Sequence, residues 1–293
     1  TLPSQSYESA FLRLELADAA GYDLLVLVAL GVLGVVVVAL LAALRPAIVV
    51  APTTTGRPLA ATIGALVAIV VALGALVMPA LLAAAGEAPE RLADALLPAA
   101  AGTWVPALVA AAVATALAVL AAIGIGWLRP LGRHSLWLLL PFAPALLVTA
   151  TPLTASALLD RLALDAGTLP LLPTVVVSVP LLVALTLLAS GMRRTGRLDA
   201  RTLAWVALTG FAVLAVLHAQ SIMPARVLAM PEESSIVLQL QAISAFSGGA
   251  SAVGIAALAT TLPVALLLAP IVVLGLGALR GATLVLGDEP LPA

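Results

Sequence analysis

The chain contains apolar runs that are long enough to cross a membrane. Residues 24–44, LLVLVALGVLGVVVVALLAAL, comprise 21 positions without a charged or polar side chain. A helix needs about 20 such residues to cross the hydrocarbon core of a bilayer, which is about 30 Å thick. Hydrophobic residues make up 63% of the whole chain and charged residues only 9%, against roughly 45–50% apolar content in soluble domains. The sequence therefore predicts a membrane protein.

Seven such segments, bounded by charged residues or by Gly/Pro clusters, predict an all-α membrane protein with about seven transmembrane helices. The predicted spans are approximately 22–44, 59–85, 103–128, 136–158, 171–190, 202–222 and 252–279. Segment 86–98, GEAPERLADALLP, predicts a separate short amphipathic helix lying on the outer surface. Residues 1–21 are mixed polar and acidic, so we expect no cleaved signal peptide.

The basic residues are distributed unevenly between the two sides of the predicted helices. All 13 are arginine, and alternate assignment of the loops places nine on one side and four on the other. The nine are Arg45, Arg57, Arg129, Arg133, Arg193, Arg194, Arg197, Arg201 and Arg280. Loops rich in Lys and Arg remain in the cytoplasm. We therefore expect an integral protein of a bacterial-type cytoplasmic membrane, with its N-terminus outside and its C-terminus in the cytoplasm.

The composition argues against several classes of function. The chain has no cysteine and two histidines, His134 and His218, and it shows no metal-ligand spacing, no paired carboxylates within a span and no phosphate-binding loop. The arginines do not alternate with aromatic residues as they do in nucleic-acid-binding surfaces. We therefore expect no catalysis, no bound metal or cofactor and no nucleic-acid partner.

The order of three segments carries a family resemblance. Residues 103–133 (TWVPALVAAAVATALAVLAAIGIGWLRPLGR), 152–172 (PLTASALLDRLALDAGTLPLL) and 234–282 (SSIVLQLQAISAFSGGASAVGIAALATTLPVALLLAPIVVLGLGALRGA) follow one another among the predicted spans. In this order, residues 58–285 resemble the inner-membrane permease subunit of binding-protein-dependent ABC importers, closest in layout to the maltose-type sugar permeases. The resemblance implies a six-helix permease-like unit.

The first 46 residues resemble the last external segment and final helix of a second permease unit of the same family. The expected division is therefore 1–46 as the end of a preceding permease unit and 47–293 as the six-helix permease-like domain. Two origins remain open, namely a fused double permease and a subunit with one added helix.

The resemblance also implies partners and a role. Such a subunit forms half of a solute translocation pathway with a second permease unit, receives substrate from an external solute-binding protein, and is driven by cytoplasmic ATPase subunits that carry the ATP. The family's sugar transport makes carbohydrate the implied substrate class. Only four Trp, two Tyr and four Phe are present to stack on a sugar ring, which argues against that class.

The loop that should contact the ATPase departs from the family pattern. Residues 190–205, SGMRRTGRLDARTLAW, lack the family's Glu-Ala-Ala and Leu-Pro coupling residues and form a much shorter loop. One interpretation is that its arginines set membrane orientation and meet anionic lipid headgroups. The alternative is that they share one face of a short helix and contact an ATPase or another acidic cytoplasmic partner. Those candidate contacts are Arg193, Arg194, Arg197 and Arg201.

The missing coupling residues leave two functions open. The first is a working permease subunit of an ABC importer. The second is a degenerate permease-fold scaffold or accessory subunit of a larger membrane complex, not coupled to ATP hydrolysis.

Polar side chains within predicted spans are candidates for a substrate pathway, because burial in hydrocarbon is costly unless they are paired or hydrated. Hydroxyl groups follow prolines in the fourth span, and polar residues end the sixth. Small hydroxyl residues also serve simply to let helices approach each other, which is the alternative explanation. The candidates are Thr149, Thr151, Thr154, His218 and Gln220.

Overall fold

The computed structural model describes residues 16–50, 92–147, 178–219, 250–265 and 281–287, together with short stretches and single positions between 66 and 84 and between 271 and 279. Of these residues, 84% are helical. The predominantly helical fold predicted from the sequence is confirmed.

Five α-helices, two helical segments of other types and two short strands make up this part of the chain. The α-helices are α1 (Leu16–Leu44), α2 (Leu92–Ala122), α3 (Val179–Arg194), α4 (Ala200–Ala219) and α5 (Ala250–Pro263). A π-helical turn at Ile123–Leu128 continues α2, and a 3-10 helix occupies Gly132–Ala145, with strands β1 at Ala47–Val50 and β2 at Ala282–Val285.

Three of the helices are long and apolar enough to cross a membrane. They are Leu24–Leu44, Ala100–Leu128 and Ala200–Ala219, with mean hydropathies of 3.3, 2.6 and 1.9. They correspond to the predicted first, third and sixth spans. Val38 and Ala42 of α1 are buried, whereas large apolar side chains such as Leu24, Val32 and Leu40 on its other faces are exposed, as suits a helix that contacts lipid over much of its surface.

The other predicted spans differ from the structure or are described only in part. The fourth span, predicted as one helix over 136–158, begins as the 3-10 helix, and residues 148–177 lie outside the described part. The fifth lies in α3, which ends at Arg194 rather than at 190. Described positions of the second span are helical, and the seventh is described as helix α5 over its first half.

The separate surface helix predicted at 86–98 is wrong. Helix α2 starts at Leu92 and continues without a break into the span that ends at Leu128. The sequence from Leu92 to Ala101 is rich in leucine and alanine. These residues favour helix, and the helix continues through Pro98, a residue that by itself disfavours a helix interior.

The chain forms two compact units. Unit 1 comprises residues 1–50, 116–199 and 282–293, and unit 2 comprises residues 51–115 and 200–281. The predicted division at residue 46 concerns descent from two permease units and remains a prediction.

Unit 1 is held together by close contacts at glycines. Gly34 of α1 lies against the Ala143 main chain of the 3-10 helix. On the other side of the unit, Gly126 packs on the main chain of α3 at Thr186, and Gly191 of α3 packs on Ile48 of β1. Small residues allow backbones to approach closely, which is how helices associate where lipid removes the hydrophobic driving force.

The two strands form an antiparallel ribbon that the sequence analysis did not predict. Ala47 pairs with Val285 and Val50 with Ala282, and the Gly287 N–H donates to the Leu44 carbonyl at 3.1 Å. Pro46 cannot continue α1, and the β-branched residues that follow favour a strand. The ribbon therefore brings the segment after α1 and the segment at 282–287 to one end of unit 1.

Unit 2 contains α4, α5 and the first part of α2. The Trp104 indole N–H of α2 donates to the Ala259 carbonyl of α5 at 3.4 Å. The Thr209 hydroxyl of α4 donates to the Trp205 carbonyl of its own helix at 2.8 Å. A small apolar cavity of about 20 Å³ lies among these helices and is lined by Trp104, Leu108, Phe211, Ala212, Ala215, Val216, Pro263 and Ile271.

Replacing Gly191 with alanine should destabilise the protein, because the added Cβ would overlap the Ile48 carbonyl group, and main chain cannot move aside as a side chain can. We expect a loss of about 2 kcal/mol, in the range of overpacked cores. The melting temperature of the detergent-purified protein measures it. Gly124→Ala is the matched control, because no atom lies within 4 Å of its added Cβ. Equal melting temperatures for the two variants would contradict the close contact.

Candidate functional site: the arginine-capped helix ends

Two membrane spans end in the same three residues. Leu44-Arg45-Pro46 follows the apolar part of α1, and Leu128-Arg129-Pro130 follows the π-helical turn. Both arginines adopt a left-handed backbone conformation, with φ of 48° and 50°, which costs a non-glycine residue roughly 1–2 kcal/mol. The following proline disfavours right-handed helix at the residue before it. Each span therefore stops at its last leucine and is followed at once by a positive charge.

Arginine side chains supply hydrogen-bond donors to carbonyl groups at these two ends. The last carbonyl groups of a helix lack intrahelical partners and carry partial negative charge. Arg193 donates from Nη1 to the Trp127 carbonyl and, at 3.2 Å, to the Leu128 carbonyl. Arg194 donates from Nη2 to the Arg45 carbonyl at 2.6 Å. The last turn of α3 thus caps the ends of both spans.

A third arginine side chain donates a hydrogen bond to a carbonyl group of its own segment. The Arg129 Nε–H donates to the Gly126 carbonyl at 3.4 Å. Arg45, Arg129, Arg193 and Arg194 therefore lie at one end of unit 1, as the alternate assignment of loops placed them. That this end faces the cytoplasm remains a prediction.

The turn that follows Leu128 is fixed by a buried hydroxyl group. Ser135, which is 2% exposed, accepts from the Leu131 N–H at 3.1 Å and donates to the Gly132 carbonyl at 3.0 Å. The exposed Arg133 follows this turn, and its Nε–H donates to His134 Nε2 at 3.0 Å.

The four arginines predicted as a partner contact do not share one short helix. Arg193 and Arg194 end α3, Arg197 lies in the connection, and Arg201 is in the first turn of α4. Gly196, with φ of 67°, terminates the helix in the left-handed conformation that glycine adopts most easily. Arg193, Arg197 and Arg201 are exposed and Arg194 is half-buried. Their role as a partner contact remains a prediction.

The predicted substrate-pathway residues are not brought together by the part of the chain that is described. Thr149, Thr151, Thr154 and Gln220 lie outside it. His218 is half-buried in the last turn of α4, and its Nε2 has no hydrogen-bond partner among the described residues.

The described residues contain no group of three or more His, Asp or Glu side chains that could hold a metal ion. Sequence reasoning assigned Arg45 and Arg129 only to loops. The repeated Leu-Arg-Pro triplet was the signal that would have identified both as helix-terminating residues.

The chain matches no protein-family model, no curated protein and no solved structure. The resemblance to importer permeases therefore remains a prediction.

Replacing Arg193 with glutamine should destabilise the protein by about 1 kcal/mol, because it removes a charged donor from two helix-end carbonyl groups. Arg197→Gln removes the same charge from the connection between α3 and α4, where the exposed side chain caps no helix end among the described residues, and should leave stability unchanged. Melting temperatures of the two purified variants test the difference. The capping role is refuted if Arg197→Gln loses as much stability as Arg193→Gln.

Proposed function

We propose that this chain is a permease-like membrane subunit that serves as a scaffold or accessory unit of a larger assembly and is not coupled to ATP hydrolysis through the α3–α4 connection. One observation carries the proposal. Arg193 and Arg194, the first two arginines of the expected docking loop, donate to main-chain carbonyl groups of their own chain.

The shortness of the connection supports the same proposal. Residues 195–199 alone separate α3 from α4. A coupling element must present a packed surface whose movement follows that of its partner. A turn closed by the Gly196 N–H on the Arg193 carbonyl at 3.0 Å offers no helix for such a surface.

The second candidate is a working ABC importer subunit that forms half of a solute pathway with a second permease unit, cytoplasmic ATPases and an external binding protein. Its support is the exposure of Arg197 and Arg201, whose side chains extend from the connection and from the start of α4. A basic contact of this kind would replace the family's Glu-Ala-Ala docking residues. Trp104 donates its indole N–H to the Ala259 carbonyl and borders a small apolar cavity, which argues against a carbohydrate site at this tryptophan.

Co-purification in gentle detergent distinguishes the two candidates. If the chain is a scaffold, another membrane protein should co-purify with it. Any ATPase that co-purifies should remain bound when Arg197 and Arg201 are both changed to glutamate. The change reverses charge on exposed side chains and leaves the contacts of Arg193 and Arg194 in place. Mass spectrometry of the bound proteins and an ATPase assay on the complex give the result.

Arg91→Glu, in the segment predicted to be external, controls for a general effect of charge. An ATPase that is lost from the Arg197/Arg201 double variant and retained by Arg91→Glu would reject the scaffold in favour of a coupled importer.

We also propose that the arginine-capped end faces the cytoplasm, as the excess of arginine indicates. A fluorescent protein that folds only in the cytoplasm should be bright when fused after residue 293, since β2 pairs with β1 next to Arg45. An alkaline phosphatase fusion at the same place, which is active only outside, should be inactive. An active phosphatase fusion with a dark fluorescent fusion would reverse the proposed orientation.

A further inference from the structure

The turn that follows Leu128 combines positive charge with exposed apolar side chains. Leu128 is 64% exposed, Leu131 is 53% exposed and Trp137 is 41% exposed. Arg129 and Arg133 lie between them in sequence. The Gly132 N–H closes the turn on the Arg129 carbonyl at 2.8 Å. The backbone that carries these side chains is therefore held in place.

A third guanidinium reaches the same turn from α3. Arg193 contacts the Trp127 and Leu128 carbonyl groups through Nη1 and is nevertheless exposed. A guanidinium has five N–H donors in one plane. The contacts to the main chain orient this group and leave donors at the surface for an anion.

Few negative charges oppose these arginines. Three acidic residues fall at described positions of unit 1, namely Asp18, Asp23 and Asp199. The nearer of the two on α1, Asp23, precedes Arg45 by a length of helix of about 33 Å, at 1.5 Å per residue. Asp199 lies in the connection after Arg197. Arginine therefore outnumbers acidic residues among the described residues at this end of unit 1.

We propose that Arg129, Arg133 and Arg193 form a binding site for the phosphate of an anionic phospholipid. Leu128 ends a membrane span, so the three arginines stand at the level where hydrocarbon gives way to headgroups. Planar guanidinium groups match phosphate oxygens with paired hydrogen bonds. The exposed Leu131 and Trp137 suit the adjoining glycerol and acyl region, where tryptophan is enriched.

The apolar side chains favour a lipid over an acidic protein as the occupant. A soluble partner bound through the arginines alone would make no use of the exposed Leu131 and Trp137. A phospholipid supplies both the anion and the apolar surface in one molecule. The site does not depend on whether the chain couples to an ATPase.

The experiment uses the full chain, purified in mild detergent and freed of native lipid. It is titrated with phosphatidylglycerol and with phosphatidylcholine of the same acyl chains, and bound lipid is counted by native mass spectrometry. Each basic residue near the surface strengthens attraction to anionic lipid about fivefold. We expect phosphatidylglycerol to bind at least about tenfold more tightly than phosphatidylcholine.

Arg133→Gln should weaken phosphatidylglycerol binding about fivefold, whereas Arg133→Lys, which keeps the charge and loses the paired donors, should weaken it less. The Arg133 Nε–H donates to the neighbouring His134 side chain, so its replacement leaves the helix-capping contacts intact. Arg91→Gln removes the same charge from the predicted external segment and should bind as the unchanged protein does.

Equal affinity for the two lipids in the unchanged protein would overturn the proposal, and this comparison needs no variant to fold. Arg133→Gln that melts normally and binds phosphatidylglycerol undiminished would also overturn it. Displacement of the lipid by millimolar inorganic phosphate would assign the site to free phosphate instead. Displacement by an acidic soluble protein would assign it to a protein partner.

Discussion

The structure of unit 1 depends on how the carbonyl groups at the ends of two membrane spans are satisfied. Both ends directly follow apolar helices that are long enough to cross a membrane, and an unpaired polar group costs more near hydrocarbon than it does in water. The proline that follows each span prevents a further helical turn. The last carbonyl groups of each span are therefore fixed at this position. Two neighbouring arginines of α3 supply the donors, one to each end. A single helical turn thereby ties α1, the π-helical turn and α3 together.

This use of Arg193 and Arg194 changes how the basic stretch is to be understood. A cluster of arginines in an apolar chain can set the orientation of the protein in the membrane or bind an acidic partner. Both explanations remain compatible with the exposed Arg197. The structure adds a third use, the capping of helices by residues distant in sequence. The positive-inside tendency and the capping role do not compete, because the same charge that holds a loop in the cytoplasm also favours the negative end of a helix dipole.

The ribbon of β1 and β2 also depends on contacts between residues that are distant in sequence. The four residues after Pro46 form β1, and the four residues after Gly281 form β2. The two strands pair with each other although most of the chain separates them in sequence. Neither segment is long enough to be stable alone. The ribbon is stabilised by burial of β1, with Ala47 and Val49 among the buried residues, and by the close approach of Gly191 to Ile48.

The sequence by itself determined the helical class and the three helices that are long and apolar enough to cross a membrane, and it predicts the side of the membrane on which most arginines lie. These follow from local apolar length and from charge, which each stretch of chain carries without reference to the rest. Only the tertiary structure decided that Arg193 and Arg194 cap other helices, that α2 absorbs the predicted surface helix, and that residues 47–50 pair with 282–285. Hydrogen-bond partners that lie 65 or 149 residues away leave no periodic trace in a sequence, because they are selected by packing at the glycines of α1, the π-helical turn and α3.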